Sequence, residues 1–179
     1  MEKRTIKLGD YDTAANGWTL AAWDFPAPEV EENLVNVPGR AKGPLDLSTA
    51  LTDGMPTYGT RELSITLESS EGDRAARLAS ISAMVNRLHG QRKDIVLPDH
   101  PNHYATGRLR VQQLYNDPAH ASVQVTATCE PWLYKLTEHE FMGATSSTSK
   151  TVTLKNDGAM PVVPLVEVSG TNASINLKY

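Results

Sequence analysis

The sequence predicts a mainly β protein (α+β class) with one flanking helix, and two patterns within residues 63–132 predict it. Apolar and polar residues alternate in several short segments, with the period of two that is typical of half-buried strands. One intervening segment has apolar residues at a helical spacing instead. The same stretch contains no catalytic constellation, so these patterns favour a structural scaffold.

The first strand of this stretch is predicted where Leu63, Ile65 and Leu67 alternate with polar residues. We expect Ser70 to cap the helix that follows, because Asp73 three residues on completes a capping-box-like pair. The strand therefore leads directly into the helix.

The predicted helix is amphipathic, and Gly90 supplies the left-handed residue that ends it. Its apolar face is expected to hold Leu78, Ile81, Val85 and Leu88. Three arginines are expected to lie largely off that stripe: Arg74, Arg77 and Arg87.

Three further strands are predicted after the helix, over residues 93–97, 104–114 and 121–129. Five side chains of the last strand are expected to face one way: Ala121, Val123, Val125, Ala127 and Cys129. A thiol on such a face is expected to be buried and inert. Because this cysteine is the only one in the chain, an intramolecular disulfide and a cysteine-based zinc site are both excluded.

The N-terminal third is predicted to hold two short strands, over residues 5–8 and 18–23, and then a long irregular passage. Residues 24–33 are acidic and contain prolines, which indicates a loop or an arm instead of core. The whole passage, residues 24–60, is longer than an ordinary connection. Loops of this length in a compact domain usually serve binding or assembly.

A domain boundary is predicted after the last of these strands. Residues 1–135 form the first domain, residues 136–150 a small polar linker and residues 151–179 a β-strand segment with a hairpin turn at Asn156-Asp157-Gly158. Three short strands seldom fold alone. They are expected to pack on the first domain or on another subunit, or else the chain ends inside a second β-domain.

Composition narrows the function classes further. The chain of 179 residues is 40% hydrophobic, enough for a real core, and its net charge of −4 weighs against a free-standing nucleic-acid binder. No stretch is long enough to span a bilayer, and no apolar signal region follows the first residues. We therefore expect no membrane insertion, and a protein that is made and used in a reducing cytoplasm or released without the secretory route.

The best candidate for catalysis or metal binding is the segment that contains Asp99, His100 and His103. Two imidazoles and one carboxylate within five residues could approach one ion. A polar connection between two strands is the favoured interpretation, because no other His or Cys has ligand spacing nearby. Nucleophile motifs and phosphate-binding glycine loops are missing as well. We therefore expect no enzyme activity, metal or cofactor.

A basic flank is predicted along the helix and just beyond it. Its members are Arg74, Arg77, Arg87, Arg92 and Lys93. The flank could contact phosphates. A solvated helix face is the preferred interpretation, and pairing between subunits comes second. The acidic partners would then be Glu29, Glu31 and Glu32.

Short segments in the irregular passages follow one another in a familiar order. They are Asp12-Thr13, Trp18-Thr19-Leu20, Val37-Pro38-Gly39-Arg40, Gly43-Pro44-Leu45-Asp46-Leu47-Ser48, Tyr58-Gly59-Thr60-Arg61, Val85-Asn86-Arg87-Leu88-His89-Gly90, Leu97-Pro98-Asp99, Tyr104 and Gly107-Arg108. Over roughly residues 3–135, this series resembles the distal tail proteins of long, non-contractile-tailed (siphovirus-type) bacteriophages. The likeness lies in order, spacing and local composition.

The resemblance implies a β-barrel or β-sandwich domain, similar to tail-tube proteins, with one flanking helix. It implies a homohexameric ring in the virion tail, assembled in the bacterial host cytoplasm. Such a ring joins the tail-tube protein to the tail-tip or baseplate hub or to a tail-associated fibre protein. DNA passes through its opening without sequence-specific binding. Residues 151–179 resemble the start of a galectin-like β-sandwich, but the rest of that sandwich is not in the sequence.

Six residues are the candidates for assembly or for fixing the loops. Trp18, Trp23 and Tyr58 are expected to be interface anchors, since aromatic residues concentrate binding energy. Alternatively one or two of them fill the subunit core, and for Trp18 the two interpretations have equal weight. The charged candidates are Arg40, Asp46 and Arg61, which could fix loop shape within or between subunits.

Three other functions compete with the ring. A tail-tube or tube-terminating subunit would belong to the same machinery. A carbohydrate-binding β-module is suggested by the terminal strands and the aromatic residues. A metal-dependent hydrolase would be built on His100 and His103.

Overall fold

The computed structural model describes residues 5–39, 42–52 and 54–137, together with residues 153, 155–158, 160 and 165. Two units divide the chain, Met1–His139 and Glu140–Tyr179, and each is described by itself.

In the second unit, the described residues include the predicted turn. The side-chain oxygen of Asn156 accepts a hydrogen bond from the N–H of Gly158, with 2.9 Å between the atoms. Almost all of the predicted linker and of the strands around this turn lies outside the described residues. The domain boundaries therefore stay a prediction.

In the described residues, the first unit is built on one antiparallel sheet with a single α-helix beside it. In chain order the elements are β1 (Lys7–Leu8), β2 (Tyr11–Asp12), β3 (Thr19–Asp24), β4 (Val30–Glu31), β5 (Leu34–Val35), β6 (Leu45–Asp46), β7 (Thr57–Tyr58), β8 (Arg61–Ser69), α1 (Arg74–Leu88), β9 (Arg92–Val96), β10 (His103–Asn116), β11 (Ala121–Cys129) and β12 (Tyr134–Lys135). The strand order in the main sheet is β2-β1-β9-β10-β11-β8-β3, and β12 pairs with β10. The predicted mainly β fold with one flanking helix is confirmed.

The sheet has one apolar and one polar face, because strand register places like residues side by side. Val125 of β11 lies between Val111 of β10 and Ile65 of β8, and all three side chains are buried. On the opposite face, Gln124 lies between Gln112 and Thr66 in the same three strands. The alternation read in the sequence thus decides which face packs against α1.

The helix begins differently from the prediction. Asp73 is its N-cap, and the Asp73 carboxylate accepts a hydrogen bond from the N–H of Ala76 at 2.7 Å. The prediction that Ser70 caps the helix is wrong. Gly72, with φ of +70°, turns the chain just before the helix, so the first free N–H groups lie beside Asp73 and out of reach of Ser70.

The buried face of α1 is also rotated from the predicted stripe. Arg77 is 2% exposed and Leu78 is 51% exposed, so the expected positions of these two residues are reversed. The residues buried on α1 are Arg77, Ile81, Met84 and Leu88, which follow one another at steps of four, three and four. An arginine can occupy this face because its guanidinium reaches backbone carbonyls at the rim of the core.

The end of α1 is bound to the sheet. Gly90 has φ of +76°, as predicted for the residue that ends the helix. The N–H of Gly90 donates to the carbonyl of Leu109 at 2.8 Å, and the ring Nδ1 of His89 accepts from the N–H of Val111 at 3.1 Å. Both contacts are made to β10. Within the part of the chain that the structure describes, no helix is long and apolar enough to cross a membrane.

Candidate assembly surface

Residues 24–60, here called the arm, leave the main sheet after β3 and return to it at β8. Two small ribbons give the arm its shape. In the first, β4 pairs with β7, and the N–H of Gly59 extends the pairing by donating to the carbonyl of Glu29 at 2.9 Å. In the second, β5 pairs with β6, and the N–H of Leu47 donates to the carbonyl of Asn33 at 2.9 Å. The predicted loop-rich passage is therefore partly ordered as ribbons.

The arm carries much of the exposed apolar surface. Among the described residues, seven of the thirteen large apolar side chains that are exposed belong to it: Val30, Leu34, Val35, Val37, Leu45, Leu51 and Met55. Exposed apolar residues that stand singly need no explanation, but a concentration of them marks an interaction surface. The arm is the strongest such concentration in the described residues.

Arg61 holds the base of the arm. Its Nε donates to the carbonyl of Pro26 at 2.7 Å, and its Nη2 donates to the carbonyl of Phe25 at 3.1 Å. The guanidinium also lies 3.6 Å from the centre of the Phe25 ring and donates to the carbonyl of Pro131 at 3.4 Å. These contacts fix the point at which the chain leaves the sheet. All of them lie within the subunit, and a role between subunits stays a prediction.

Tyr58 makes a second contact at the base. Its ring is half-buried and meets the ring of Trp132 edge to face, with 5.0 Å between the centroids and 81° between the planes. Tyr58 lies on β7, so the contact joins the first ribbon to the segment after β11. Tyr58 lies within the arm, close to its return to β8, and a role as an interface anchor stays a prediction.

Asp46 shapes the second ribbon from within. Its carboxylate accepts a hydrogen bond from the N–H of Ser48 at 2.9 Å. The hydroxyl and the N–H of Ser48 together hold the pKa of Asp46 below its usual range. The hydroxyl of Ser48 in turn accepts from the N–H of Asn33 at 2.8 Å. Arg40, the third charged candidate, lies outside the described residues.

The two tryptophan candidates lie closer to the core than the arm does. Trp18 is 1% exposed, and its indole N–H donates to the hydroxyl of Ser80 on α1 at 3.0 Å. Of the two interpretations of Trp18, core filling describes its position. Trp23 is half-buried on β3, an edge strand of the main sheet, and lies opposite Ile65.

The basic flank is exposed over most of its length, and three of its members also pair with carboxylates of their own subunit. The Asp10 carboxylate forms ion pairs with Arg87, at 2.7 Å, and with Lys93, at 2.9 Å. These two partners hold the pKa of Asp10 well below its usual range. Arg92 pairs with Glu130. The preferred interpretation as a solvated face describes Arg74, Arg87 and Arg92, which are exposed, but not the buried Arg77. Sequence reasoning missed Asp10 because it lies far from its partners along the chain.

The segment with His100 and His103 forms a turn. The N–H of His100 donates to the carbonyl of Leu97, and the N–H of His103 donates to the carbonyl of His100, each at 3.0 Å. The two rings lie edge to face with 6.4 Å between their centroids. Within the described residues, no group of three or more His, Cys, Asp or Glu side chains is placed to hold a metal ion.

No protein-family model matches this chain, and a search of the curated proteins gives no match. Among solved structures, the chain is similar to the crystal structure of SPP1 Dit, described as a paradigm of the hub adsorption apparatus in phages that infect Gram-positive hosts. The TM-score is 0.57 and the sequence identity 16%, over 73% of this chain and 51% of that one.

The fold is similar to that of SPP1 Dit. The resemblance to distal tail proteins that the sequence suggests is thereby confirmed at the level of the fold. The chain spans about half the length of SPP1 Dit.

Two other solved structures are less similar to this chain. They are the tail of an empty GTA particle (14% identity, TM-score 0.36, 66% of this chain and 82% of that one) and the virion of a native gene transfer agent particle (14% identity, TM-score 0.36, 74% of this chain and 95% of that one).

Proposed function

We propose that this chain is a structural subunit of a phage tail tip and that it assembles with copies of itself into a six-membered ring. The observation that carries the proposal is the arm, whose apolar side chains are exposed although its base is firmly held by Arg61. The likeness of the fold to SPP1 Dit supports the place of the ring in a virion tail.

In this proposal the ring joins the tail tube to the tail tip or baseplate hub, and DNA passes through its opening without sequence-specific contacts. Its partners are copies of itself, the tail-tube protein and a hub or fibre protein. The role is one of assembly and involves no catalysis. The segment after residue 150 is the proposed start of a galectin-like β-sandwich.

The structure of the arm gives a physical reason for assembly. An isolated two-stranded ribbon is marginally stable in water, and each ribbon of the arm has only two residues per strand. Full burial of one large apolar side chain contributes about 1.5–3 kcal/mol. Several such side chains, which are exposed in the single subunit, can together offset the entropy lost on association. A neighbour that covers the arm would therefore stabilise both the arm and the contact.

A ring follows from the kind of contact that the arm can make. An arm that packs on a different surface of the next subunit forms a heterologous contact, and heterologous contacts close into rings when the rotation between subunits allows it. Each subunit would then dock its arm on one neighbour and bind the arm of the other neighbour. The same arrangement protects the unpaired strand edges of the ribbons.

The test is the solution mass by light scattering over a concentration series, with negative-stain images of the largest species. Two variants make it specific to the arm, because Leu34 on the arm and Leu78 on α1 are both 51% exposed. Leu34→Asp is expected to abolish assembly, whereas Leu78→Asp leaves it intact. Equal assembly of the two variants would contradict the role of the arm. Long tubes in place of single rings would favour the tube-subunit alternative.

A further inference from the structure

The arm holds the excess negative charge of this protein. Residues 24–60 contain six acidic and two basic residues, a net charge of −4, which equals the net charge of the whole chain. The remainder of the chain is thus neutral overall. An arm that docks on a neighbour must bring this charge against a surface that accepts it.

A surface with the opposite charge lies on the polar face of the main sheet. A concavity of about 340 Å³ opens there, and three arginines line it: Arg92, Arg108 and Arg110. Glu130 is the one carboxylate that lines it among the described residues. We call this surface the arginine concavity.

The strand register explains why the arginines converge. Arg108 lies directly opposite Arg92 in the pairing of β10 with β9, an arrangement in which like charges repel. Glu130 pairs with Arg92, and Arg108 donates one hydrogen bond to the carbonyl of Gly90 at 2.7 Å. The side chain of Arg110 forms no hydrogen bond or ion pair with any described residue. Within the described part of the chain, the positive charge at Arg108 and Arg110 therefore has no carboxylate partner.

The spacing of the arm's carboxylates matches the spacing of these arginines. Glu29 and Glu31 are two residues apart along the first ribbon, and Arg108 and Arg110 are two residues apart along β10. Residues at that separation in extended chain point to the same side, about 6.6 Å apart. Both glutamates are exposed, and in the described residues no ion pair joins them to the arginines of their own chain.

We propose that the arm of one subunit docks on the arginine concavity of the next, with Glu29 and Glu31 against Arg108 and Arg110. The occupant is a second copy of this chain, so the inference rests on the proposed function. A guanidinium can hold a carboxylate through two parallel N–H donors, which fixes orientation as well as attraction. The apolar side chains of the arm supply contact area, and the four charges set the register between neighbours.

Charge reversal tests this pairing. In one variant Arg108 and Arg110 become Glu; in the other Glu29 and Glu31 become Arg. Each variant alone repels itself, and the concentration at which half of the chains assemble is expected to rise by about tenfold or more. The control, Arg74→Glu with Lys135→Glu, changes the net charge as the first variant does but at exposed sites outside the concavity. It is expected to assemble like the unaltered chain.

Mixing the two variants gives the decisive result. In an equimolar mixture every acidic arm can meet a basic concavity and every basic arm an acidic one, so alternating rings are expected to form. Failure of the mixture to assemble, with both variants folded by circular dichroism, would overturn the pairing.

Two further outcomes separate this inference from the function on which it rests. Variants that assemble at the same concentration as the unaltered chain would overturn the pairing but leave the proposed ring intact. If the variant with Arg108→Glu and Arg110→Glu also lost salt-dependent binding to a short DNA duplex, the concavity would face nucleic acid instead. An unaltered chain that stays monomeric at every concentration would overturn the proposed function and this inference together.

Discussion

The indole N–H of Trp18 donates a hydrogen bond to the hydroxyl of Ser80, with 3.0 Å between the two heavy atoms. Trp18 precedes β3, and Ser80 lies on α1, so the contact joins an edge of the sheet to the helix across 62 residues of sequence. The ring of Trp18 is fully buried in the core. This pair therefore fixes where α1 lies relative to the strand from which the arm departs.

Replacing Trp18 tests the importance of this contact. Trp18→Phe removes the donor and part of the ring, and we expect the free energy of unfolding in urea to fall by about 1–3 kcal/mol. A double-mutant cycle with Ser80→Ala is expected to give a coupling of about 0.5–1.5 kcal/mol. Effects that simply add would mean that the hydrogen bond contributes nothing. Leu51→Ala, at a side chain that is 99% exposed, is the control and is expected to change stability by less than about 0.5 kcal/mol.

Arg77 is expected to be as important for the stability of the fold as Trp18. Its guanidinium donates to the carbonyls of Gly72 at 2.6 Å, Asp117 at 2.7 Å and Pro118 at 3.0 Å, which ties the start of α1 to the turn between β10 and β11. Arg77→Met leaves these carbonyls without a donor, and we expect a loss of about 2–4 kcal/mol in unfolding free energy.

The matched control for Arg77 lies three residues earlier on the same helix. Arg74 is exposed, so Arg74→Met is expected to change unfolding free energy by less than about 0.5 kcal/mol. Chemical denaturation of both variants, followed by circular dichroism, makes the comparison. Similar losses in the two would mean that the three carbonyls are satisfied without the guanidinium.

The strands could be predicted because their signal is local. In β11, five buried apolar residues alternate over Ala121–Cys129, so the period of the sequence matches the period of the strand. Arg77 and Asp10 could not be predicted in this way. Arg77 is buried because carbonyls from a distant turn surround its guanidinium, and Asp10 binds Arg87 and Lys93 only after the sheet has formed. No periodicity in the sequence encodes these long-range contacts.

The same distinction applies to the candidate site. Composition and turn residues were enough to identify residues 24–60 as an unusual passage. The two ribbons within it depend on pairings such as Val30 with Tyr58, which a sequence pattern of two residues per strand cannot specify. The arginine concavity depends on cross-strand register, with Arg92 opposite Arg108, and this register is visible only in the folded sheet.

Stability at alkaline pH should depend on Tyr11. Burial raises the pKa of Tyr11 to about 12, above its ordinary value of 10.0, although nearby Arg87 opposes the shift. The unfolded chain therefore ionises first. The stability that the neutral phenol contributes is fully present below about pH 10 and is lost as the pH rises towards about 12.

Tyr11→Phe isolates this effect. The unfolding free energy of the variant is expected to fall less between about pH 8 and about pH 11 than that of the unaltered chain. Cys129, whose pKa burial raises to about 11, titrates in the same range but is present in both proteins. Identical pH profiles for the two proteins would show that Tyr11 ionises equally in the folded and unfolded states.

Arg61 should control the mobility of the arm. Arg61→Lys keeps the charge but cannot reach the carbonyls of Phe25, Pro26 and Pro131 at once, because an ammonium lacks the planar fork of a guanidinium. Limited proteolysis is expected to cut within residues 24–60 several times faster in this variant. Arg74→Lys, at an exposed arginine of α1, is expected to leave the cutting rate unchanged. Equal rates in all three proteins would contradict an anchoring role.

The central claim is that copies of this chain close into a ring through their arms. Native mass spectrometry of the assembled species, read beside negative-stain class averages, tests it most directly. Six copies of the 19.5 kDa chain give a particle of about 117 kDa, and the images should show a closed ring with a central opening. A monomer at every concentration, or open chains of indefinite length, would contradict the account.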